Sequence, residues 1–291
     1  MAAPASSITG RTRVVGVIGD PIEHSRSPAM HNAAFRALGL PWVYVAFRVA
    51  SDDVAAAVAA VRALGLGGVN VTIPHKEAVL PHLDRLSARA RACGAVNTIV
   101  NRRGVLSGEN TDVLGLERDW AERGVPRRVR ESVVIGAGGA ARAVVVALAA
   151  RSRRVLVAAR RPEQARVLVR GLGKSARAEL VAVPLDELRP GAETAGERLR
   201  HAGLVVNATS VGMHGEPFRL LDFAATPEGC FAYDLIYTAP RTPFLRAASR
   251  ARREGANGLG MLLHQGAAAF ELWTSTKPPT DVMRRALAAS R

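Results

Sequence analysis

Cysteine is nearly absent: the 291 residues include two, Cys93 and Cys230. Two distant thiols in apolar contexts make neither a disulfide framework nor a metal cluster, so both are expected to be small core residues. No His, Cys, Asp or Glu group has metal-ligand spacing, and no metal is implied. Aromatic residues are 4% of the chain, which leaves few platforms for stacking bases. Long apolar runs are lacking as well. The most apolar stretch, SVVIGAGGAARAVVVALAA (132–150), is broken by glycines and by Arg142, a poor pattern for a membrane span. The first thirteen residues, MAAPASSITGRTR, are small and polar, without the continuous apolar stretch of a signal peptide. Acidic residues are outnumbered, 25 against 40 basic, for a net charge of +15. The arginines are dispersed and form no basic block, so solvated helix faces and anionic small molecules explain them better than nucleic acid does. The expectation is a cytoplasmic enzyme or binding protein, with no nucleic-acid or membrane partner, acting as a monomer or homodimer.

What the chain does have is alternation. Residues 14–19 (VVGVIG) are a continuous apolar run, as a buried parallel strand is. Residues 28–38 have helical spacing, 42–49 are rich in β-formers, and 52–64 are helical with acids in the first turn. Residues 67–73 (GGVNVTI) read as the next strand, and 96–110 as a hairpin around Arg103 and Gly104. A second series begins near residue 131. It reads as strand, glycine turn and helix over 132–150, then strands over 153–160, 179–185, 203–209 and 230–236. A helix over 243–255 and a long amphipathic helix over 259–274 follow. Residues 189–203 look most like a linker, placed within the second unit. Strands alternating with helices predict an α/β layer fold.

The turn G-A-G-G-A-A at 136–141 has the G-x-G-x-x-A form of a dinucleotide fingerprint, with a strand before it and a helix and a strand after it. Gly136 allows the tight turn, Gly138 lets backbone approach a pyrophosphate, and Ala141 permits close helix–strand packing. Ala137, Gly139 and Ala140 complete a helix N-terminus whose free N–H groups suit phosphates. Roughly twenty residues further on, an NAD site places an acid against the ribose 2′-hydroxyl. This chain has Arg160 and Arg161 there. A guanidinium pairs with a 2′-phosphate, so the pattern predicts NADP(H); otherwise the two arginines are solvated strand-end residues.

The segment NVTIPHKEAV (70–79) sets Lys76 just past a strand, at the mouth where a ligand crevice opens, with more helix-like residues after it. Pro74 is expected to keep the preceding backbone extended and so to aim the lysine. The plainer alternative, a solvated first-turn lysine, is disfavoured because cations sit badly at helix N-termini. Asp112 in GENTDVLG can pair with Lys76; its alternative role is a helix cap before VLGLERDW. Such a pair can stabilise developing negative charge on a ligand and move a proton.

Taken in order, GDPIEHSRSPAMHNAAF (19–35), NVTIPHKEAV, GAVNTIV (94–100), GENTDVLG (108–115), VIGAGGAARA, NATSVGM, YDLIYTAPRTPFL and GLGMLLHQGAAAFELW closely resemble shikimate dehydrogenase, from about residue 14 to 285. The resemblance implies NADPH-dependent, reversible reduction of 3-dehydroshikimate to shikimate, in the pathway to aromatic amino acids. It also implies two α/β domains: a discontinuous substrate-binding domain (1–111 and 258–291) and a doubly wound, Rossmann-type NADP-binding domain (112–257). Matching motifs give Ser25, Ser27, Thr72, Lys76, Asn97, Asp112, Tyr237 and Gln265 as substrate ligands, and Lys76 with Asp112 as the catalytic pair. Thr209, Leu235, Gly258 and Met261 would meet the nicotinamide.

Side-chain chemistry suits a polyhydroxylated ring bearing a carboxylate. Ser25 and Ser27 offer hydroxyl donors, though Ser27 before Pro28 also reads as a helix N-cap. Asn97 can donate and accept at once, as a ring hydroxyl requires, or can serve a turn. Thr72 is equally a β-branched strand residue, Tyr237 a core aromatic, and Gln265 a buried amide that needs some partner. His24, His31, His75 and His264 take no catalytic role. The alternatives are a quinate or dual quinate/shikimate dehydrogenase, against which Ser27 and Arg160 argue, and a non-catalytic nucleotide-responsive binding protein. Replacing Arg160 with aspartate turns attraction for a 2′-phosphate into repulsion and should weaken NADPH binding at least about tenfold while sparing NADH. Unchanged NADPH affinity by titration would leave Arg160 as a solvated residue.

Overall fold

The computed structural model describes residues 8–173 and 176–290. It divides into two compact units, Met1–Gly115 with Leu262–Arg291, and Leu116–Met261. The sequence reading placed these boundaries at 111/112 and 257/258. In chain order the elements are β1 (Arg13–Gly19), α1 (Ser27–Ala37), β2 (Trp42–Arg48), α2 (Val54–Ala63), β3 (Gly68–Val71), β4 (Arg85–Leu86), α3 (Ala88–Cys93), β5 (Thr98–Arg102), β6 (Val105–Glu109) and α4 (Asp112–Glu122). Then come β7 (Val129–Ile135), α5 (Gly139–Ala149), β8 (Ser152–Ala159), α6 (Pro162–Gly173), β9 (Glu179–Pro184), α7 (Ala195–Leu199), β10 (Ala202–Asn207), β11 (Phe231–Asp234), α8 (Pro243–Arg250), β12 (Gly255–Asn257), α9 (Leu259–Thr274) and α10 (Thr280–Ala289). Among the described residues no helix is long and apolar enough to cross a membrane.

The first unit carries a six-stranded mixed sheet in the order β2-β1-β3-β5-β6-β4. The apolar run of β1 is paired in parallel on both sides, with β2 and β3, which is why it needs no polar face. The hairpin of β5 and β6 closes on Arg103 and Gly104, with φ of 53° and 83°. Two left-handed residues match the twist of a tight hairpin. The second unit is an all-parallel sheet, β12-β11-β10-β7-β8-β9. Its chain order reverses between β7 and β10, the arrangement of a doubly wound dinucleotide fold.

Several local expectations change. The strand expected over 67–73 ends at Val71, and residues 73–79 are turns leading to a short 3-10 turn, Leu80–His82. No helix start lies beside Lys76, and the Ile73–Pro74 peptide is cis. Ser27 is the first residue of α1, not its N-cap; that place falls to Arg26, while the Ser25 hydroxyl accepts the Ser27 N–H at 3.3 Å. The helix expected to reach residue 255 stops at Arg250. Arg252 is left-handed (φ 59°), and Arg253 binds the Thr226 carbonyl and hydroxyl, at 2.6 and 3.0 Å, which turns the chain into the unforeseen edge strand β12. The linker-like residues 189–203 hold α7, whose Ala195 and Leu199 enter the core. Cys93 and Cys230 are buried thiols, pushed up to about 12 and about 11 by burial.

The first unit's aromatic core surrounds His31. Its ring stacks on Tyr44 with centroids 4.4 Å apart and planes 3° off parallel, near Phe35, Phe270 and Trp273. Among the described residues neither ring nitrogen has a hydrogen-bond partner, and burial pushes the imidazole down to about 3. The unfolded chain takes up this proton near pH 6.5 and the folded chain refuses it. Stability from this site is therefore complete above about pH 6.5 and is lost as pH falls toward 3. His31→Leu should flatten the pH dependence of urea unfolding between about pH 4 and 6. Parallel curves for variant and wild type would show that the folded state protonates His31 freely.

Candidate active site

In the first unit, Lys76 and Asp112 are both buried, and Lys76 Nζ lies 2.5 Å from Asp112 Oδ2. Lys76 sits in the turns beyond β3. Its carbonyl accepts the Val96 N–H at 2.8 Å, and the neighbouring His75 Nε2 meets the Val49 carbonyl at 2.7 Å. The loop is thus pinned on both sides of the lysine, by backbone bonds and not by an adjoining helix. Asp112 is the first residue of α4, and its carboxylate serves no cap: the second oxygen, Oδ1, accepts from Asn97 Nδ2 at 2.8 Å.

Asn97 is the hub. It ends the loop before β5 and is buried. The Thr111 N–H reaches its Oδ1 at 2.7 Å, and since a backbone N–H can only donate, the amide's orientation is fixed. The hydroxyls of Thr98 and Thr111 also lie 3.1 Å from that oxygen. Its Nδ2 faces Asp112, the Gln265 Oε1 at 3.3 Å and the Thr111 hydroxyl at 2.9 Å. Both ends of the amide are therefore engaged within the protein. Gln265, on α9, is held by its own Nε2 on the Leu262 carbonyl at 2.9 Å. Behind Asn97, Asn70 in β3 donates to the Asn97 carbonyl (3.1 Å) and the Thr98 hydroxyl (3.0 Å), and accepts from the Tyr44 hydroxyl (2.8 Å). Sequence reasoning passed over Asn70, Thr98 and Thr111. For Asn70 and Thr98 the available signal was polarity in strand positions beside buried valines and isoleucine; Thr111, in the loop before α4, offered none.

Four other expected residues lie outside this knot of hydrogen bonds. Thr72 is half-buried just beyond β3, where its N–H donates to the Ile18 carbonyl at 3.0 Å. Ser25 and Ser27 stand at the start of α1; among the described residues no hydrogen bond engages the Ser27 hydroxyl. Tyr237 belongs to the second unit, half-buried after β11.

In the second unit the glycine turn follows β7. Gly136 has φ of 115°, and a Cβ there would stand 2.7 Å from the Ala208 carbonyl oxygen, so only glycine fits. Gly138 is extended and exposed, and a Cβ would meet nothing within 4 Å, which leaves its backbone open to a ligand. It caps α5, whose Gly139 and Ala140 are half-buried, while Ala137 precedes it in the turn and Ala141 packs fully inside. Arg160 and Arg161 follow β8 directly and are exposed, and among the described residues no hydrogen bond or ion pair engages either guanidinium. Such a cradle of open backbone with two available guanidinium groups fits a phosphorylated dinucleotide.

The far rim of that crevice is built by Asn207 and Asp234, both fully buried. Asn207 Nδ2 donates to Asp234 Oδ1 at 2.9 Å, and its Oδ1 accepts the Thr209 N–H and hydroxyl at 3.1 and 2.7 Å. The Ile236 N–H adds a bond to Asp234 Oδ1 at 3.1 Å, fixing the chain beside Leu235. A Cβ on Gly258 would lie 2.5 Å from the Leu235 carbonyl oxygen, so these two segments touch through backbone, with the buried Met261 near by in sequence. Thr209, Leu235 and Gly258 are therefore locked in place by residues that sequence reasoning missed.

Burial pushes the Asp234 carboxyl up to about 6, against hydrogen bonds from Thr242, Ile236 and Asn207 that favour its charged form. The folded state thus holds a proton that the unfolded state releases near pH 4. This contribution is full below about pH 4 and is lost as pH rises through 6. Asp234→Asn keeps an acceptor and removes the ionisation, so the loss of stability between about pH 4 and 6 should shrink. Identical pH slopes in denaturant titrations would mean that the carboxyl ionises without penalty.

Comparison with known proteins places these features. Residues 17–99 match the model of the shikimate dehydrogenase substrate binding domain, and 258–288 that of the shikimate 5'-dehydrogenase C-terminal domain. The NADP(+) shikimate dehydrogenase of Citrifermentans bemidjiense is 46% identical over 285 residues, covering 97% of each chain. A shikimate dehydrogenase of Thermus thermophilus, solved with NADP(H) and shikimate, superposes with a TM-score of 0.82 at 37% identity, over 96% of this chain and 100% of that one. A quinate dehydrogenase of Corynebacterium glutamicum with NAD superposes at 0.84 with 31% identity, over 96% and 99%. A buried lysine–aspartate pair in one unit, a glycine-turn cradle in the other and likeness along nearly the whole length converge: this chain belongs to the shikimate dehydrogenase family.

Proposed function

We propose that the chain reduces 3-dehydroshikimate to shikimate with NADPH, reversibly. The observation that carries this reading is the buried Lys76–Asp112 contact of 2.5 Å, tied through Asn97 to Gln265. The first unit takes the polyol and the second the dinucleotide, and the place of work on this reading is the cytoplasm.

NADPH, when bound, supplies the hydride that goes to the carbonyl carbon. The residues supply the rest. Lys76, as an ammonium, donates a hydrogen bond to the ketone oxygen and then the proton that makes it a hydroxyl. Asp112 holds the lysine in line through Oδ2 and offsets its charge, while Oδ1 stays on the Asn97 N–H. In the oxidation direction the lysine, as a free amine, removes the hydroxyl proton. Asn97 and Gln265 present amide groups to ring hydroxyls, with Thr72 beside Lys76 in the chain as a further hydroxyl partner. Ser25 and Ser27 hold the substrate carboxylate, and Tyr237 completes the set. In the second unit the Gly136–Ala140 turn receives the pyrophosphate, Arg160 and Arg161 the 2′-phosphate, and Thr209, Leu235, Gly258 and Met261 the nicotinamide. Two exposed arginines in place of an acid support NADPH over NADH.

Initial rates with shikimate and quinate, each with NADP and NAD, test the reading directly: fastest turnover belongs to shikimate with NADP. A faster quinate reaction would reassign the substrate. Lys76→Ala should lower kcat by about 10²–10⁴ with a modest change in the KM for shikimate. Normal turnover with weakened binding would make the lysine a positioning group.

A further inference from the structure

The hydrogen bonds behind Asn97 do more than satisfy buried atoms. Asn70 is oriented by a group that can only accept, the Asn97 carbonyl, which fixes its Nδ2 at 3.1 Å. That same Nδ2 donates to the Thr98 hydroxyl at 3.0 Å, so Thr98 must direct its own hydrogen elsewhere. The acceptors within its reach are Asn97 Oδ1 at 3.1 Å and the Thr111 hydroxyl at 3.2 Å. If Thr98 donates to Thr111, then Thr111 passes its own hydrogen to Asn97 Oδ1, 3.1 Å away. If Thr111 donates to Thr98, then Thr98 donates to Asn97 Oδ1. Every arrangement delivers at least one hydroxyl hydrogen to Asn97 Oδ1, beside the Thr111 N–H already there at 2.7 Å. These hydrogens reinforce the orientation that the Thr111 N–H sets, with the amide N–H groups facing the Asp112 carboxylate. The reversed amide would set two oxygens against each other in a buried site, an arrangement that low polarity makes costly.

We propose that Thr98 and Thr111 are positioning residues for the Lys76–Asp112 pair, acting through the side-chain amide of Asn97. Both threonines are fully buried. Their role for catalysis rests on the reaction proposed above, whereas their hold on the amide does not. With their hydroxyls gone, Asn97 keeps one firm donor, the Thr111 N–H, and its plane is free to rock. Asp112 then loses a fixed partner on Oδ1, and the lysine it aims loses its line.

The test uses Thr98→Val and Thr111→Val, singly and together, with Thr98→Ser and Thr111→Ser as the conservative partners. Valine keeps the branched shape and removes the hydroxyl; serine keeps the hydroxyl and removes a methyl. The double valine variant should lose roughly tenfold in kcat, the scale seen for outer-shell partners, with the KM for NADP unchanged. Each serine variant should keep most of the activity even where valine packs better. An activity-free readout is exchange of the Asn97 side-chain amide hydrogens by NMR, assigned by their loss in Asn97→Asp: slow in wild type and serine variants, fast in the double valine variant. The proposal is overturned if the valine variants keep wild-type kcat and slow exchange, or if serine variants fail as badly as valine ones. If the wild type does not oxidise shikimate at all, the proposed reaction falls while the exchange result still decides the hold on Asn97.

Discussion

Everything at the first unit's site depends on keeping an ammonium and a carboxylate together out of water. Removing two charges from solvent costs several kcal/mol each, and mutual attraction offsets this only with good geometry and full hydrogen bonding. Here the geometry comes from three stretches of chain far apart in sequence: the turns after β3 carry Lys76, the start of β5 carries Asn97, and the start of α4 carries Asp112. Neither charge is braced by its own element. The lysine's loop is tied to Val96 and Val49 by backbone carbonyls, and the aspartate is tied to Asn97. Desolvation keeps the pair close, and the sheet that brings β3 beside β5 makes the closeness possible.

The second unit solves a different problem by local means. A dinucleotide phosphate is bound by backbone, so what matters is that the chain can bend and that nothing fills the space. Both demands are met within six residues, where Gly136 takes a left-handed bend against Ala208 and Gly138 leaves open space. A long-range requirement is the rim, where Asn207 bridges β10 to Asp234 at the end of β11. Parallel neighbours in register, Asn207 opposite Asp234, put the amide and the carboxyl at the same level.

This difference explains what could be read from sequence. The glycine turn is contiguous, so its spacing alone announced a strand–turn–helix, and Arg160 and Arg161 fell at the strand end where they were expected. The apolar runs of β1, β7 and β10 were equally plain, because burial on both faces leaves no polar alternation. Lys76 and Asp112 stood out as residues, through a resemblance and through their awkward chemistry. The run after Pro74 looked helical from composition, yet the chain there is held by bonds to Val49 and Val96, contacts that no local pattern encodes. Asn70 and Thr98 stayed hidden for a related reason: a polar residue in a strand reads as a solvent-facing position until the partner strands are known, and Thr111, in the loop before α4, reads as an ordinary loop residue. The end of α8 was misjudged because Arg253, which looks like one more surface arginine, is tied to Thr226.

Three buried aspartates show how the surroundings of a carboxyl set its use. Asp119 in α4 is matched by Arg123 one turn on at 2.9 Å and by the Tyr233 hydroxyl at 2.5 Å, and that tyrosine is pushed well above its usual range by burial and by the carboxylate. Its cation is an arginine, which keeps its proton, and the cluster ties α4 to β11. Asp234 has no cation and retains a proton up to about pH 6, which suits a bracket between two loops and nothing more. Asp112 alone is matched by a lysine, whose proton can leave, and by an amide that cannot take it. An ammonium on one oxygen and an amide donor on the other distinguish this carboxyl from the other two.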